Sequence, residues 1–402
     1  MTVKNIASTG RTLALACPLA FCLAGMPAAA RADVNASGSP QDSVTLYGIV
    51  DAGISYLKTS AGTRYSLLSG GLSGNRFGLR GQEDLGGGLN AIFQLENGFA
   101  LGSGKLLQNS REFGRQAFVG LAGHTWGTVT IGRLYDPVVD LVQPMTADGF
   151  GGSVPFATPG DVDNNDFSAR VSSAVKYASP DYAGLRFESL FAFGGVSGHT
   201  GQGITFSAAA AYHRGPLSLS GGYFQASNPN GDNGRRSTWN STTTDALFEG
   251  GSINAGYITA HTLAIAQLAG VYAFGPLSVG AGYSNAQYRH DGESTFDTTE
   301  KFDTGRVFAF YRVSPALRFG AGYVLTAASG DTSARYNQGS VGAFYTLSKR
   351  TDVYTTAAYQ RANGTQRTAS GALQSARATI SSYGVDGTAS QTIVTVGLRH
   401  RF

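Results

Sequence analysis

Val44-Thr-Leu-Tyr-Gly-Ile-Val-Asp-Ala-Gly-Ile-Ser-Tyr56 alternates apolar and polar side chains with a period of two. Val44, Leu46, Val50, Ala52, Ile54 and Tyr56 fall on one face, and Thr45, Tyr47, Asp51 and Ser55 on the other. Successive residues of an extended strand point to opposite sides of a sheet, so this segregation reads as strand and not as helix. The far end of the chain repeats it, with Val394, Val396, Leu398, His400 and Phe402 alternating with Thr395, Gly397, Arg399 and Arg401.

Composition agrees with a large β structure. Charged residues make up 14% of the 402, against about 25% in ordinary soluble domains. The 56 glycines are about twice the usual share, beside 19 Tyr and 23 Phe. Mean hydropathy is −0.08, and no apolar run reaches the roughly 18–20 residues that a spanning helix needs. A helical membrane protein is therefore excluded. With 42% hydrophobic and 11% aromatic residues the chain can bury ample surface, which argues against disorder.

The first residues read as an export signal. Lys4 and Arg11 precede an apolar stretch from Thr12 to Gly25, and the small residues Ala30 and Ala32 place cleavage before Asp33. The expected division is thus a signal at 1–32 and one domain over 33–402. Cys17 and Cys22 leave with the signal, so disulfides and thiolate metal sites are not expected in what remains. Lys4, Arg11 and Arg31 leave too, reducing 30 basic residues to 27 against 26 acidic ones. The basic isoelectric point near 9.0 therefore does not point to nucleic acid.

Connections between the alternating segments fall into two classes. Asp84-Leu-Gly-Gly-Gly88, His124-Thr-Trp-Gly127, Gly215-Pro216, Gly275-Pro276, Ser314-Pro315 and Lys349-Arg-Thr-Asp352 are short, turn-like sequences, while 227–258, 289–300 and 363–389 are long and polar. Short and long alternate along the chain, as in a transmembrane barrel with short turns at one end and long loops at the other. The strands expected are 44–56, 73–84, 88–99, 112–122, 127–136, 169–179, 185–195, 204–214, 217–227, 261–274, 277–288, 301–313, 317–327, 337–348, 352–362 and 390–402, sixteen in all. An internal echo, Leu217-Ser-Leu-Ser-Gly-Gly-Tyr223, Leu277-Ser-Val-Gly-Ala-Gly-Tyr283 and Leu317-Arg-Phe-Gly-Ala-Gly-Tyr323, sets tyrosines at a fixed depth. A soluble propeller would instead show a blade-length repeat, and none is present. The fold class is all-β, a 16-stranded antiparallel transmembrane β-barrel with an apolar outer belt and a polar inner wall. In lipid every backbone polar group must be paired, which forces closure. A barrel of that size holds an aqueous lumen, because side chains cannot fill it.

Beyond these patterns, Val44-Thr-Leu-Tyr-Gly48, the run from Asn75 to Glu96, Arg115-Gln-Ala-Phe-Val-Gly-Leu121, Trp126-Gly-Thr-Val-Thr-Ile-Gly-Arg133 and the ending Val396-Gly-Leu-Arg-His-Arg-Phe402 resemble the general trimeric porins of Gram-negative bacteria, of the betaproteobacterial and neisserial type. The resemblance spans essentially all of the chain after the signal. It implies a homotrimer in the outer membrane, in contact with lipid and lipopolysaccharide, passing ions and small hydrophilic solutes, with no cofactor, no metal and no nucleic-acid partner. It also implies that the third long connection, about 137–167, folds into the barrel and forms the constriction.

That connection supplies Asp140, Asp148, Asp161, Asp163 and Asp166, with Asp136 just ahead of it, and contains no Lys or Arg. Alternation points Arg76 and Arg80 inward, opposite Phe77 and Leu79, and likewise Arg170 and Lys176. Arg76, Arg115 and Arg170 match the family's constriction arginines. For Arg115 the inward direction rests on the resemblance, since parity groups it with Ala117, Val119 and Leu121. Arg133 shares parity with Val129 and Ile131, which leaves a subunit interface as an alternative to the pore. Phe402 is expected at the membrane interface. Acids on one side and guanidinium groups on the other would orient polar solutes and favour anions modestly. Three rivals stand beside this reading. One is a substrate-specific channel, and another is an adhesin using Arg235, Arg236 and Trp239 in the long loop. The third is a barrel enzyme, for which the six scattered histidines offer no nucleophile or metal spacing.

Overall fold

The computed structural model describes residues 42–402 apart from 60–61, 153, 167–168, 199–200, 230–238, 240, 242, 246, 249–250 and 381–387. The expected signal, Phe167, Arg235 and Arg236 lie outside the described residues. The staves are β1 Ser43–Thr59, β2 in two pieces, Gly62–Ser69 and Arg76–Gly86, β3 Leu89–Gly98, β4 Gln116–Gly123, β5 Gly127–Leu134, β6 Arg170–Ala178, β7 Leu185–Ala192 and β8 Thr205–Arg214. They continue as β9 Leu217–Ser227, β10 Thr262–Phe274, β11 Leu277–Arg289, β12 Glu300–Arg312, β13 Leu317–Ser329, β14 Ser333–Ser348, β15 Thr351–Arg367 and β16 Ser390–Arg401. Sequential staves pair antiparallel. β1 closes on β16 from Ile49↔Arg401 to Thr59↔Gln391, so the structure is the closed 16-stranded barrel that the alternation required. Among the described residues no helix is long and apolar enough to cross a membrane.

The period-two pattern separates outside from inside. On β1, Val44 and Ile54 are 69% and 67% exposed, while Asp51 and Ser55 are 0% and 3%. The repeated Leu-x-x-Gly-Ala-Gly-Tyr element now has a physical reading. Its tyrosines, Tyr283 and Tyr323, stand on the outer face, about half exposed. Its first glycine faces inward and lies under a neighbour's ring. A Cβ on Gly280 would come within 2.1 Å of Phe308, and one on Gly320 within 2.3 Å of Phe310. Those glycines let two phenylalanines of β12 lie flat against the inner wall.

Two expectations need correction. The inner wall is not uniformly polar. Phe224, Tyr288, Phe302, Phe308, Phe310 and Phe344 project inward from β9 to β14 and are buried. Phe308, Phe310 and Phe344 are buried because the connection between β5 and β6, residues 135–169, folds into the lumen and packs beside them, while Tyr288 and Phe302 lie against Tyr257 of the connection between β9 and β10. Phe150 lies 5.4 Å from Phe308 and 5.7 Å from Phe310, and Phe156 lies 5.7 Å from Phe310. Each such ring withdrawn from water contributes about 1.5–3 kcal/mol, which anchors a loop that would otherwise need its own core. The second correction concerns β2, which begins at Gly62 and not near residue 73, and which leaves the ladder between Ser69 and Arg76.

Candidate functional site: the charged lumen and its inward loop

Opposite the apolar half of the wall, the lumen carries charge. Arg76 and Arg80 project inward from β2 while Phe77 and Leu79 are exposed outside. The Arg80 guanidinium lies 5.4 Å from the Tyr47 ring centre. Arg115 is inward as well. It sits in a bend one residue before β4 begins, so strand parity does not govern its direction. Its Nε donates to Glu96 Oε1 at 2.7 Å, and the Tyr47 hydroxyl donates to Glu96 Oε2 at 2.9 Å. Arg170 donates to the Tyr135 hydroxyl at 3.0 Å and lies 5.0 Å from that ring's centre, with Arg115 5.9 Å from the same ring. Arg76, Arg115 and Arg170 thus gather around two tyrosines and one wall carboxylate. Glu96 and Tyr135 were not singled out from the sequence. The inward parity of Glu96 on β3 was the available signal.

The inward loop opens with a five-residue helix, α1 Pro137–Leu141, whose start follows from its residues. Pro137 occupies the first turn, and the Asp136 side chain accepts from the Val138 amide at 2.8 Å. Asp136 is buried, also accepts from the Ser207 hydroxyl at 3.2 Å, and is pushed up to about 6 by burial. Asp140 pairs with Lys176 of β6, which also approaches Glu188 at 3.7 Å. Half-buried Asp148 accepts from Thr146 at 2.6 Å and Gln143 at 3.0 Å. Burial, with Asp166 nearby, raises its carboxyl to about 7 against those hydrogen bonds. Asp161 and Asp166 are buried together, the Asp161 carboxylate accepting from the Asp166 amide at 2.7 Å. Asp163 is fully buried and forms an ion pair with Arg306 of β12, a wall arginine that sequence reasoning passed over. Parity on β12 could have found it. Further ties run from Gln338 to the carbonyls of Pro155 and Ala157 at 2.9 and 3.0 Å, and from Arg318 to Gly151 O at 2.8 Å.

Asp140 and Asp163 therefore anchor the loop to the wall, and Lys176 and Arg306 answer them there. Simple parity does not place Arg133. A bulge at Gly132–Leu134 breaks the parity, and the side chain is buried against Asp245, 3.0 Å away, and Gly114 O, 2.8 Å away. Trp239 is partly buried, its ring centre 5.2 Å from that of Phe248 with the planes tilted by 50°, and its Nε1 donates to Thr244. Phe402 is half exposed on the outer face, and its ring lies over Gly48 of β1. The backbones of Phe402 and Gly48 exchange two hydrogen bonds, 3.0 and 3.1 Å long.

The description "Gram-negative porin" belongs to the family whose profile matches residues 14–365. The chain belongs to the Gram-negative porins. It is similar to an outer membrane porin protein of Bordetella pertussis, 28% identical over 95% of this chain and 98% of that one. It is also similar to the major outer membrane protein P.IB of Neisseria gonorrhoeae, 27% identical over 85% and 92%. Among solved structures, the anion-selective porin from Comamonas acidovorans superposes with a TM-score of 0.68 at 24% identity, covering 90% of this chain and all of that one. The trimer form of OmpT from Vibrio cholerae superposes at 0.63 with 17% identity, covering 90% and 99%. As a porin, the barrel sits in the outer membrane and forms a water-filled channel for passive diffusion of ions and small hydrophilic solutes. Its apolar outer belt and closed hydrogen-bond ladder are what that location demands.

Proposed function

We propose that this porin passes small anions in preference to cations, and that Arg76, Arg80, Arg115 and Arg170 on the β2–β6 side of the lumen create the preference. The observation that carries the reading is the gathering of Arg76, Arg115 and Arg170 around Glu96 and Tyr135 while Asp140 and Asp163 of the inward loop are held by Lys176 and Arg306. Guanidinium groups stay charged at every relevant pH, so the field on that side is permanent. The fold likeness to a porin whose own description is anion-selective supports the reading. The channel is read as a homotrimer, supported by the trimer form of its structural relative. Its outer belt then faces lipid and lipopolysaccharide, with Phe402 at the interface. Residues 1–32 are read as the export signal. Transport is passive, with no chemical step. Reversal potentials of the purified porin in a salt gradient test the reading: a potential of the sign set by anion flow is expected, and clear cation preference overturns it.

A further inference from the structure

A six-residue turn interrupts β2. Ala52 pairs with Ser69 and Ile49 with Arg76, so only Val50 and Asp51 of β1 stand opposite Gly70-Gly-Leu-Ser-Gly-Asn75. The surplus residues do not hang outside. Asp51, an inward and fully buried carboxylate, accepts from the amides of Leu72 and Ser73 at 2.9 and 2.7 Å and from the Tyr354 hydroxyl at 2.6 Å. The Gly70 amide donates to Asp51 O at 2.9 Å, and the Asp51 amide donates to Asn75 Oδ1. Arg399 of β16 donates to the Ser73 hydroxyl at 2.7 Å while holding Asp352 through two bonds of 2.7 and 3.0 Å. Gly71 has to be glycine here: a Cβ would stand 2.5 Å from the Tyr354 hydroxyl. The turn is therefore fixed inside the barrel by buried charge and backbone.

Its place matters as much as its rigidity. Arg76 Nε donates to Gly74 O at 3.0 Å, and a Cβ at Gly74 would lie 3.2 Å from the Arg115 guanidinium. Arg399 holds the other flank. The half-buried tip Leu72-Ser73-Gly74 thus stands between the arginines of β2–β4 and the Arg399–Asp352 pair. Leu72 packs on the aromatic cluster of Phe344 and Tyr354 that also takes Phe150 of the inward loop.

We propose that the Gly70–Asn75 turn is a second constriction element of the channel, and that Leu72 sets the size of hydrophilic solute that passes the arginines. The inward loop narrows the lumen from β7–β15, and the turn narrows it from the β1–β2 wall. An apolar, rigid tip between cationic stretches admits a compact hydrated anion and obstructs a bulky neutral sugar. The proposal rests on the porin reading and deepens it.

Single-channel conductance and liposome swelling with sugars of rising size test it on the full-length porin. Leu72→Trp is expected to cut conductance roughly twofold and lower the sugar cut-off, and Leu72→Gly to raise both. Deleting residues 71–74 leaves two residues opposite Val50 and Asp51 and restores an unbroken ladder; conductance is expected to rise roughly twofold. Retained heat-modifiable mobility on gels confirms folding for each variant. The two point variants decide the matter if the deletion does not fold. Unchanged conductance and unchanged cut-off in folded Leu72→Trp overturn the proposal. Cation preference in the wild type, with the Leu72 series still ordered Trp, Leu, Gly, would overturn the anion reading and leave the turn's role standing.

Discussion

The two sides of one lumen are built on opposite principles. From β9 to β14 the inner wall is covered: its aromatic rings form a core with the inward loop, and polar groups among them such as Arg306 and Gln338 are taken up by that loop. From β16 through β1 to β4 it carries Arg399, Asp51, Arg76, Arg80, Glu96 and Arg115. On the proposed reading the first side stabilises and the second selects. A wide barrel has too few side chains to fill itself, so it spends half its wall on holding a plug and leaves the other half for solutes. The difference separates stability from selectivity along the wall, and that separation can be tested.

The largest effect should come from the covered side. Phe310→Ala removes a ring 2% exposed between Phe150, Phe156 and Phe344, and about 3–5 kcal/mol of stability is expected to be lost in denaturant unfolding in detergent. If selectivity shifts and stability does not, the division between the two sides is wrong. Next is the pin joining loop and wall. Asp163→Ala leaves Arg306 buried without its carboxylate and should cost about 3 kcal/mol, with larger current noise as the loop loosens. A double-mutant cycle with Arg306→Ala would measure the coupling, and its absence would remove Asp163 as an anchor. On the wet side, Arg80→Ala should change stability by less than about 1 kcal/mol, because the residue is exposed in the lumen. Its reversal potential should nevertheless move toward cations. The smallest effect concerns pH. The folded Asp148 carboxyl titrates near 7 against an ordinary 3.8, so the folded loop binds its proton more tightly than the unfolded chain does. Its stabilisation is full below about 4 and is lost as pH rises through 7. With the intrinsic base-catalysed rise in exchange divided out, protection of the inward loop's amides should be greater at pH 5 than at pH 8, and Asp148→Asn should abolish the difference.

Period-two alternation made the barrel legible almost stave for stave, because lipid on one face and lumen on the other impose a strict code at every position. The code failed where the backbone leaves the ladder. Arg115 stands before its strand starts, Arg133 sits in a bulge, and the 70–75 turn has no alternation to read. Parity also cannot say what covers an inward residue. Phe308 and Phe310 alternate correctly, yet their role becomes visible only with Phe150 and Phe156 beside them. Likewise the acidic content of the loop was plain, but whether an aspartate faces solute or an anchor such as Arg306 is a matter of tertiary pairing.

The junction of Gly48 and Phe402 bears on how the molecule is made. The two backbone bonds there join the opposite ends of the barrel-forming sequence, and the β1–β16 ladder is among the last contacts a growing chain can supply. Until it forms, β1 is an open edge of strand, with apolar side chains on one face and unpaired amides along its length. Such edges recruit other chains. Contacts of this sequence separation are also slow to form. Between synthesis and insertion the polypeptide therefore has to be kept apart from its own copies, and sealing the seam removes the open edge while lipid covers the apolar belt.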